Sequence, residues 1–457
     1  MSDARVVILD GTPPDDGSLV PILTILTEVF GRGGAETRVL AVREMRIAHC
    51  IGCFGCWVET PGICVENDEG RAIARAVARS EVTVLFTPVS FGGYSSDLKR
   101  ALDHFLPLII PYFRTHRGEI HHPPRYATPR LVAVGVQRRA DEGEAALFRT
   151  LVGRNALNFS PPSHAAEVVV ASDDPGALRR RFEALLTRVD ELPVGAAYTS
   201  LMPAPGVPAA APTAAPGGAR RALAIVGSPK TKSASTSGVL AAHLLERLAQ
   251  RGWETESLTL KASVRNEGGQ AELLTSVGRA DLLLLVFPLY VDALPFLVTK
   301  ALEVIAAHRL ETASPRPQRL MAVVNCGFPE PHQNTAALAI CSRFAAQSGI
   351  EWAGCLALGA GETVSGGHPL AGPGRAGLPP AGHLVQALDL AAAALAEGRT
   401  VPSEAVELAA KCPIPLMPFA LWRRVFPRFG AAFWHRRAAA NGVARERLRD
   451  RPLVAVD

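Results

Sequence analysis

Short apolar runs recur along the chain, each closed by a glycine, a proline or an amide and followed by a polar, helix-like stretch. In the first half they are Val6-Val7-Ile8-Leu9, Val82-Thr83-Val84-Leu85-Phe86 and Arg130-Leu131-Val132-Ala133-Val134-Gly135. In the second half they are Leu223-Ala224-Ile225-Val226, residues 282–287 and Leu320-Met321-Ala322-Val323-Val324-Asn325. The order is shared: the first run meets Gly11 or Gly227, the second Pro88 or Pro288. Runs without polar alternation, separated by helical patterns, predict parallel strands covered on both faces. Between the two series, residues 202–218 are rich in Pro, Ala and Gly and carry no charged residue, which reads as a linker. The predicted fold class is therefore α/β. Two tandem doubly wound domains, 1–200 and 220–400, flank a linker at 201–219, and a helical extension follows over 401–457. Ligands of such sheets sit at the carboxyl ends of the strands.

Composition narrows this picture. With 457 residues, 48% of them apolar, the chain has material for two cores. A formal net charge of +5 gives no reason to invoke nucleic acid. No apolar run reaches the roughly eighteen residues of a membrane span, and MSDARVVILDG does not read as a signal peptide. The expectation is a cytoplasmic, reducing location, where clustered cysteines serve metal or redox chemistry rather than disulfides.

Such a cluster exists at Cys50, Cys53, Cys56 and Cys64, with two residues between each of the first three. This spacing lets thiolates converge on one centre at small loop-closure cost. Three readings stand side by side: a four-iron four-sulfur cluster, a zinc ion, or metal-free thiols. Cys326, Cys341, Cys355 and Cys412 share no such spacing and read as packed residues.

The loop after the first strand of the second half, Gly227-Ser228-Pro229-Lys230-Thr231-Lys232-Ser233-Ala234-Ser235-Thr236-Ser237, is rich in hydroxyls and holds two lysines. At a helix N-terminus this is a phosphate cradle. It lacks the nucleoside-triphosphate loop pattern, and no dinucleotide glycine fingerprint follows a strand. The matching first-half loop, Asp10 to Ser18, keeps Thr12 and Ser18 but has Asp10, Asp15 and Asp16 and no cation. Phosphate beside Asp15 and Asp16 would be repelled unless both turn outward.

These loops, with Thr87-Pro88-Val89-Ser90-Phe91-Gly92-Gly93-Tyr94-Ser95-Ser96-Asp97-Leu98-Lys99, Pro288-Leu289-Tyr290-Val291-Asp292-Ala293-Leu294-Pro295 and Asn325-Cys326-Gly327-Phe328-Pro329-Glu330, resemble the flavodoxin-like NADPH-dependent FMN reductases. The cysteine run, continued by Val65 and Asp68, is similar to that of the family's iron–sulfur flavoprotein branch. The resemblance implies five-stranded parallel sheets in the order 2-1-3-4-5. It implies FMN with its phosphate on Ser228, Lys230, Ser233, Ser235 and Thr236. The flavin ring would lie along Pro288, Leu289, Tyr290, Val291, Asn325 and Gly327, or in the first half along Pro88, Ser90, Phe91, Gly92, Gly93 and Tyr94. Tyr94 and Tyr290 are expected to occupy matching positions, Ser96 or Asp97 to cap the first-half helix, and Pro295 to sit in the first turn of its counterpart. NAD(P)H would be the co-substrate and a small molecule the electron acceptor, with no obligatory side-chain acid or base; the rival reading is an electron-transfer module that docks to a partner. The losses are complementary, since the first half lacks the cation-bearing loop and the second lacks the cysteines. A fused pseudo-dimer with divided labour is expected, whose first half leaves a second FMN open and whose further assembly into a homo-oligomer is also open.

The tail holds Phe419, Trp422, Phe426, Phe429, Phe433 and Trp434 among Arg423, Arg424, Arg428, Arg436 and Arg437. Such a segment either lies on a membrane surface or packs across domains, with packing favoured. Pro427 is expected to break it.

Overall fold

Uninterrupted apolar runs become buried strands in both halves. The computed structural model describes residues 5–14, 16–193, 220–230, 235–312, 316–365, 368, 370, 382–414 and 417–454. The chain divides into two compact units. Unit 1 comprises Met1–Gly195 with Phe426–Asp457, and unit 2 comprises Ala196–Val425.

Unit 1 runs β1 (Arg5–Asp10), α1 (Val20–Phe30), β2 (Glu36–Ala41), the single turn α2 (Gly55–Val58), α3 (Gly70–Arg79), β3 (Val82–Ser90), β4 (Gly93–Tyr94) and α4 (Ser96–Leu102). A small hairpin, β5 (Arg114–His116) and β6 (Glu119–His121), precedes β7 (Arg130–Gln137), α5 (Glu142–Phe159), β8 (His164–Val170) and α6 (Pro175–Leu185). The main sheet has the order β2-β1-β3-β7-β8, all parallel, with β4 folded back on β3. Its interior is Val6, Ile8, Val84, Phe86, Val132 and Val134 against Leu26, Phe30 and Phe182.

Unit 2 repeats the plan with β9 (Arg221–Val226), α7 (Thr236–Ala249), β10 (Glu254–Thr259), α8 (Leu260–Ser263), α9 (Glu267–Arg279), β11 (Leu282–Pro288), α10 (Phe296–Glu311), β12 (Arg319–Asn325), α11 (Thr335–Gln347) and β13 (Glu351–Leu358). Then come α12 (Gly361–Val364), α13 (Gly382–Ala396) and α14 (Ser403–Ala409), and α15 (Phe419–Ala440) begins in unit 2 and belongs to unit 1 from Phe426 onward. Its sheet order is β10-β9-β11-β12-β13, all parallel. Both sheets therefore have the flavodoxin-like order 2-1-3-4-5 expected from the sequence. In that order the switch point lies between the first and third strands, and their carboxyl ends open the ligand crevice.

Three local expectations are corrected. Ser95 caps α4, its hydroxyl accepting the Leu98 N–H at 3.3 Å, because Ser96 and Asp97 are already inside the first turn. Pro295 is the residue before α10 rather than its first helical residue. Helix α15 continues through Pro427, although an interior proline costs about 3 kcal/mol. Burial of Trp422, Phe426 and Trp434 along the same helix offsets that cost.

Candidate functional site

In unit 2 the loop after β9 begins at Gly227, whose N–H donates to the Val286 carbonyl at 2.8 Å. A Cβ here would fall 2.2 Å from Val298 Cγ2, so only glycine lets the backbone turn this closely. Ser228 is buried and its hydroxyl accepts the Lys230 N–H at 3.3 Å. Ser235 caps α7, accepting the Gly238 N–H at 2.9 Å. Both hydroxyls accept in these bonds, which leaves their protons as donors for an anion at the helix N-terminus. Thr236 instead spends its hydroxyl on the Gly361 carbonyl at 3.1 Å. Ser233 lies outside the described residues.

At the end of β12, Asn325 is buried and donates to Ser237 Oγ at 2.9 Å and to the Phe287 carbonyl at 3.2 Å. Its carbonyl receives the Leu289 N–H at 2.8 Å, so one residue ties the three loops of the crevice together. After half-exposed Pro288, the turn Tyr290-Val291-Asp292-Ala293 closes by reciprocal backbone bonds of 3.1 Å, with Val291 and Asp292 at positive φ. Non-glycine residues there are held in a sparsely occupied region, a form of preorganisation common at binding loops. Gly327 is exposed, and Cys326 is packed, with its thiol against the carbonyls of Phe328, Glu330 and Leu358.

Unit 1 shows the same backbone with different chemistry. Gly11 N–H donates to the Phe86 carbonyl at 2.8 Å, the counterpart of Gly227. Preceding it, Asp10 stands where unit 2 has Val226, each the last residue of its first strand. Asp10 is buried and its Oδ1 accepts both the backbone N–H of Thr12 at 2.9 Å and the Thr12 hydroxyl at 2.5 Å. Its other oxygen pairs with Arg43. Ser18 donates its hydroxyl to Asp16, which also faces Arg138 at 3.5 Å. Asp15 lies outside the described residues. On the fourth strand the polarity is reversed, since Pro88 pairs with Val136 where Pro288 pairs with Asn325.

The unit 1 ring loop is folded into its own domain. Ser90 pairs with Gly93, and Phe91 and Gly92 take positive φ, the same turn as at Tyr290 to Ala293. This register overturns the expected match of Tyr94 with Tyr290. Tyr290 corresponds to Ser90, and Tyr94 to Leu294. Tyr94 is buried and donates to Asn155 Oδ1 at 2.6 Å. The Gly92 N–H is held by Glu144 at 3.1 Å, and Glu144 by Gln137 at 2.8 Å. Phe91 is buried as well, while Pro88 and Ser90 are half-buried.

The four clustered thiols of unit 1 lie on the loop around α2. Cys53 receives the backbone N–H of Gly55 at 3.3 Å, and the backbone at Gly52 and Glu66 favours the thiolate forms of Cys50 and Cys64. Gly52 and Phe54 on this loop take positive φ. Burial, and next the carboxylate of Asp103, push the Cys50 thiol up to about 12. Burial and then the other three sulfurs raise Cys56 well above its ordinary value. Burial first and then Asp68 among the charges raise Cys64. Four mutually repelling sulfurs form a site that becomes anionic only against cationic charge. Among the described residues no group of three or more His, Cys, Asp or Glu is gathered for a metal ion. Four thiols within one loop are the donor type that zinc and iron–sulfur centres share.

Residues around the cysteine run hold this loop. Asp68 accepts the Ala48 N–H at 2.8 Å, and His104 Nε2 donates to the Ala48 carbonyl at 2.7 Å. Arg71 donates to the Cys64 carbonyl at 2.9 Å. Trp57 is buried and donates to the carbonyls of Leu106 and Ile109. The last stretch of unit 1 packs here, with Trp434, Ala438, Val443 and Leu448 closing a core around Cys56 and Trp57. Among the described residues, no helix is long and apolar enough to cross a membrane.

Residues 4–152 match the NADPH-dependent FMN reductase family. The reductase-family match thus falls on unit 1, the unit that carries the thiols. An iron–sulfur flavoprotein of Methanocaldococcus jannaschii is 28% identical over 108 residues, 24% of this chain and 55% of its own length. One of Archaeoglobus fulgidus is 26% identical over 103 residues, 22% of this chain and 46% of its own. The chain spans about half the length of the curated relatives it matches. Among solved structures, NAD(P)H:quinone oxidoreductase from Methanothermobacter marburgensis aligns with 41% of this chain and 100% of its own at 15% identity and a TM-score of 0.35. An FMN-dependent NADH-azoreductase from Bacillus anthracis aligns with 39% and 99% at 16% identity and a TM-score of 0.29.

Proposed function

We propose that this chain is an FMN-dependent oxidoreductase that takes electrons from NAD(P)H and passes them to a small acceptor, with an iron–sulfur centre on Cys50, Cys53, Cys56 and Cys64. The observation that carries the reading is the joining of three strand-end loops of unit 2 by Asn325, beside a hydroxyl-lined helix N-terminus at the switch point. FMN, when bound, supplies acceptance of hydride from a reduced nicotinamide and release of electrons to the acceptor. Ser228 and Ser235 bind its phosphate as hydroxyl donors, with the Lys230 charge on the same loop. The Tyr290–Ala293 turn and Asn325 orient the ring, and the apolar strand ends behind them exclude water. Hydride transfer needs no side-chain acid or base here, so these residues bind and position.

The four thiols favour a second reading, an electron-transfer module that docks to a partner and has no turnover of its own. Steady-state oxidation of NADPH and NADH by the FMN-loaded chain, with a quinone or free flavin as acceptor, separates the two. Turnover supports the reductase, and fully loaded protein with no measurable rate sinks it. Iron and sulfide analysis of anaerobically purified protein tests the cluster, with about four of each per chain expected.

A further inference from the structure

The reductase-family match lies on unit 1, yet the residues of unit 1 do not fit the phosphate end of FMN. We infer that the Asp10 carboxylate occupies the anion cradle of unit 1 from within, so that the chain binds a single FMN, in unit 2. The inference rests on the flavin reading of unit 2 and names which of two similar crevices is used.

The comparison is between two loops on one backbone plan. Gly11 and Gly227 make the same N–H bond to the neighbouring strand at 2.8 Å, so the turns start alike. In unit 2 the residue before the glycine is Val226, and the loop hydroxyls of Ser228 and Ser235 accept backbone N–H groups. A hydroxyl that accepts keeps its proton to donate, which a phosphate requires. In unit 1 a carboxylate, an acceptor only, takes both the N–H and the hydroxyl proton of Thr12, and a second takes that of Ser18. Arg43, a cation that could serve a phosphate, is paired to Asp10. A phosphate placed here would have to displace a buried carboxylate of its own charge sign from its donors.

The ring end agrees independently. The Gly92 N–H, at the tip of the ring loop, is held by Glu144, and Tyr94 is turned inward to Asn155. The polar Asn325 that joins the loops in unit 2 is replaced by apolar Val136. In unit 1 the donors of the first-strand loop and of the Ser90–Gly93 turn are thus taken by the unit's own side chains.

The test is anaerobic titration of the flavin-free full-length chain with FMN. Quenching of flavin fluorescence gives the affinity, and flavin retained on gel filtration gives the stoichiometry. One FMN per chain is expected. Ser235→Ala should weaken binding at least tenfold, whereas Thr12→Ala should leave affinity and stoichiometry unchanged. Should Ser235→Ala unfold α7, as circular dichroism would report, Ser228→Ala carries the same comparison without touching the cap. Two FMN per chain, or loss of the single FMN on Thr12→Ala, overturns the inference while leaving the flavin reading intact. No FMN retained by the wild-type chain overturns the flavin reading itself and this assignment with it.

Discussion

The guanidinium of Arg437 donates to the carbonyl of Cys53 at 3.0 Å, across 384 residues of sequence. The same group lies 5.9 Å from the ring centre of Phe54 and 5.5 Å from that of Trp434. Trp434 in turn meets Trp57 edge-on at 4.9 Å. The C-terminal stretch of unit 1 is thus part of the thiol site, where it braces the left-handed turn at Phe54 between two of the cysteines.

Removing that brace should loosen the thiol loop before it unfolds the sheet. Arg437→Ala is expected to cost about 1–3 kcal/mol, and Trp434→Ala about 3–5 kcal/mol because a buried ring is deleted. Denaturant unfolding measures the cost. Iron retained after desalting should fall more in Trp434→Ala than in Arg437→Ala, and equal retention in both and the wild type would refute the bracing role.

Stability should fall in mild acid through His122. Burial holds its pKa down at about 4, and its Nδ1 donates to the carbonyls of Ile110 and Tyr112. Neighbouring His121 lowers it further. The folded state keeps His122 neutral, while the unfolded chain protonates near 6.5. This contribution is complete above pH 6.5 and is lost as pH falls toward 4, by about 3 kcal/mol at most. Unfolding free energies between pH 7.5 and 4.5 should lose less in His122→Gln, whose amide keeps a donor for the carbonyls and does not titrate.

Tyr94 and Tyr290 should part company on mutation. Tyr94→Phe leaves buried Asn155 without its 2.6 Å donor and should cost about 1–3 kcal/mol with no change in bound flavin. Tyr290→Ala, in the open turn of unit 2, should weaken FMN binding with little change in stability. A flavin titration and a melting curve on each variant check both halves of the statement.

Gly92→Ala should be worse than Gly118→Ala although both glycines have nearly equal φ, +83° and +85°. A Cβ at Gly92 falls 2.7 Å from Leu147 Cδ2, whereas at Gly118 nothing lies within 4 Å. Strain alone predicts about 1–2 kcal/mol at Gly118, and overpacking adds about 1–3 kcal/mol at Gly92. Equal melting temperatures for the two variants would contradict this.

The central strands were legible because burial on both faces leaves no polar alternation, as in Leu282 to Phe287 and their neighbours. The edge strands were not. Glu36–Ala41 and Glu254–Thr259 carry mainly exposed or half-exposed residues, so little in their hydrophobicity separates them from loop. The hairpin Arg114–His116 and Glu119–His121 is too short to show a period. Of the candidate sites, the cysteine spacing and the hydroxyl-rich loop were read directly, since both are local. Asp10 was visible only as one of three acidic residues. Its place at the end of a strand, with its side chain turned back onto Thr12, is what changes its meaning.

By itself the amino-acid sequence determined the repeated α/β plan, the thiol run and the difference in charge between the two loops that follow the first strands. These follow from period, spacing and composition, which act over a few residues. Tertiary structure alone decided that Asp10 turns back onto Thr12, that Tyr290 shares a register with Ser90 rather than Tyr94, and that Arg437 and Trp434 pack against the thiol loop. Each of these depends on where a side chain points once the strands are in register, and on contacts between segments far apart in the chain. Such contacts are selected by packing and hydrogen-bond satisfaction in the folded core, which no local pattern encodes.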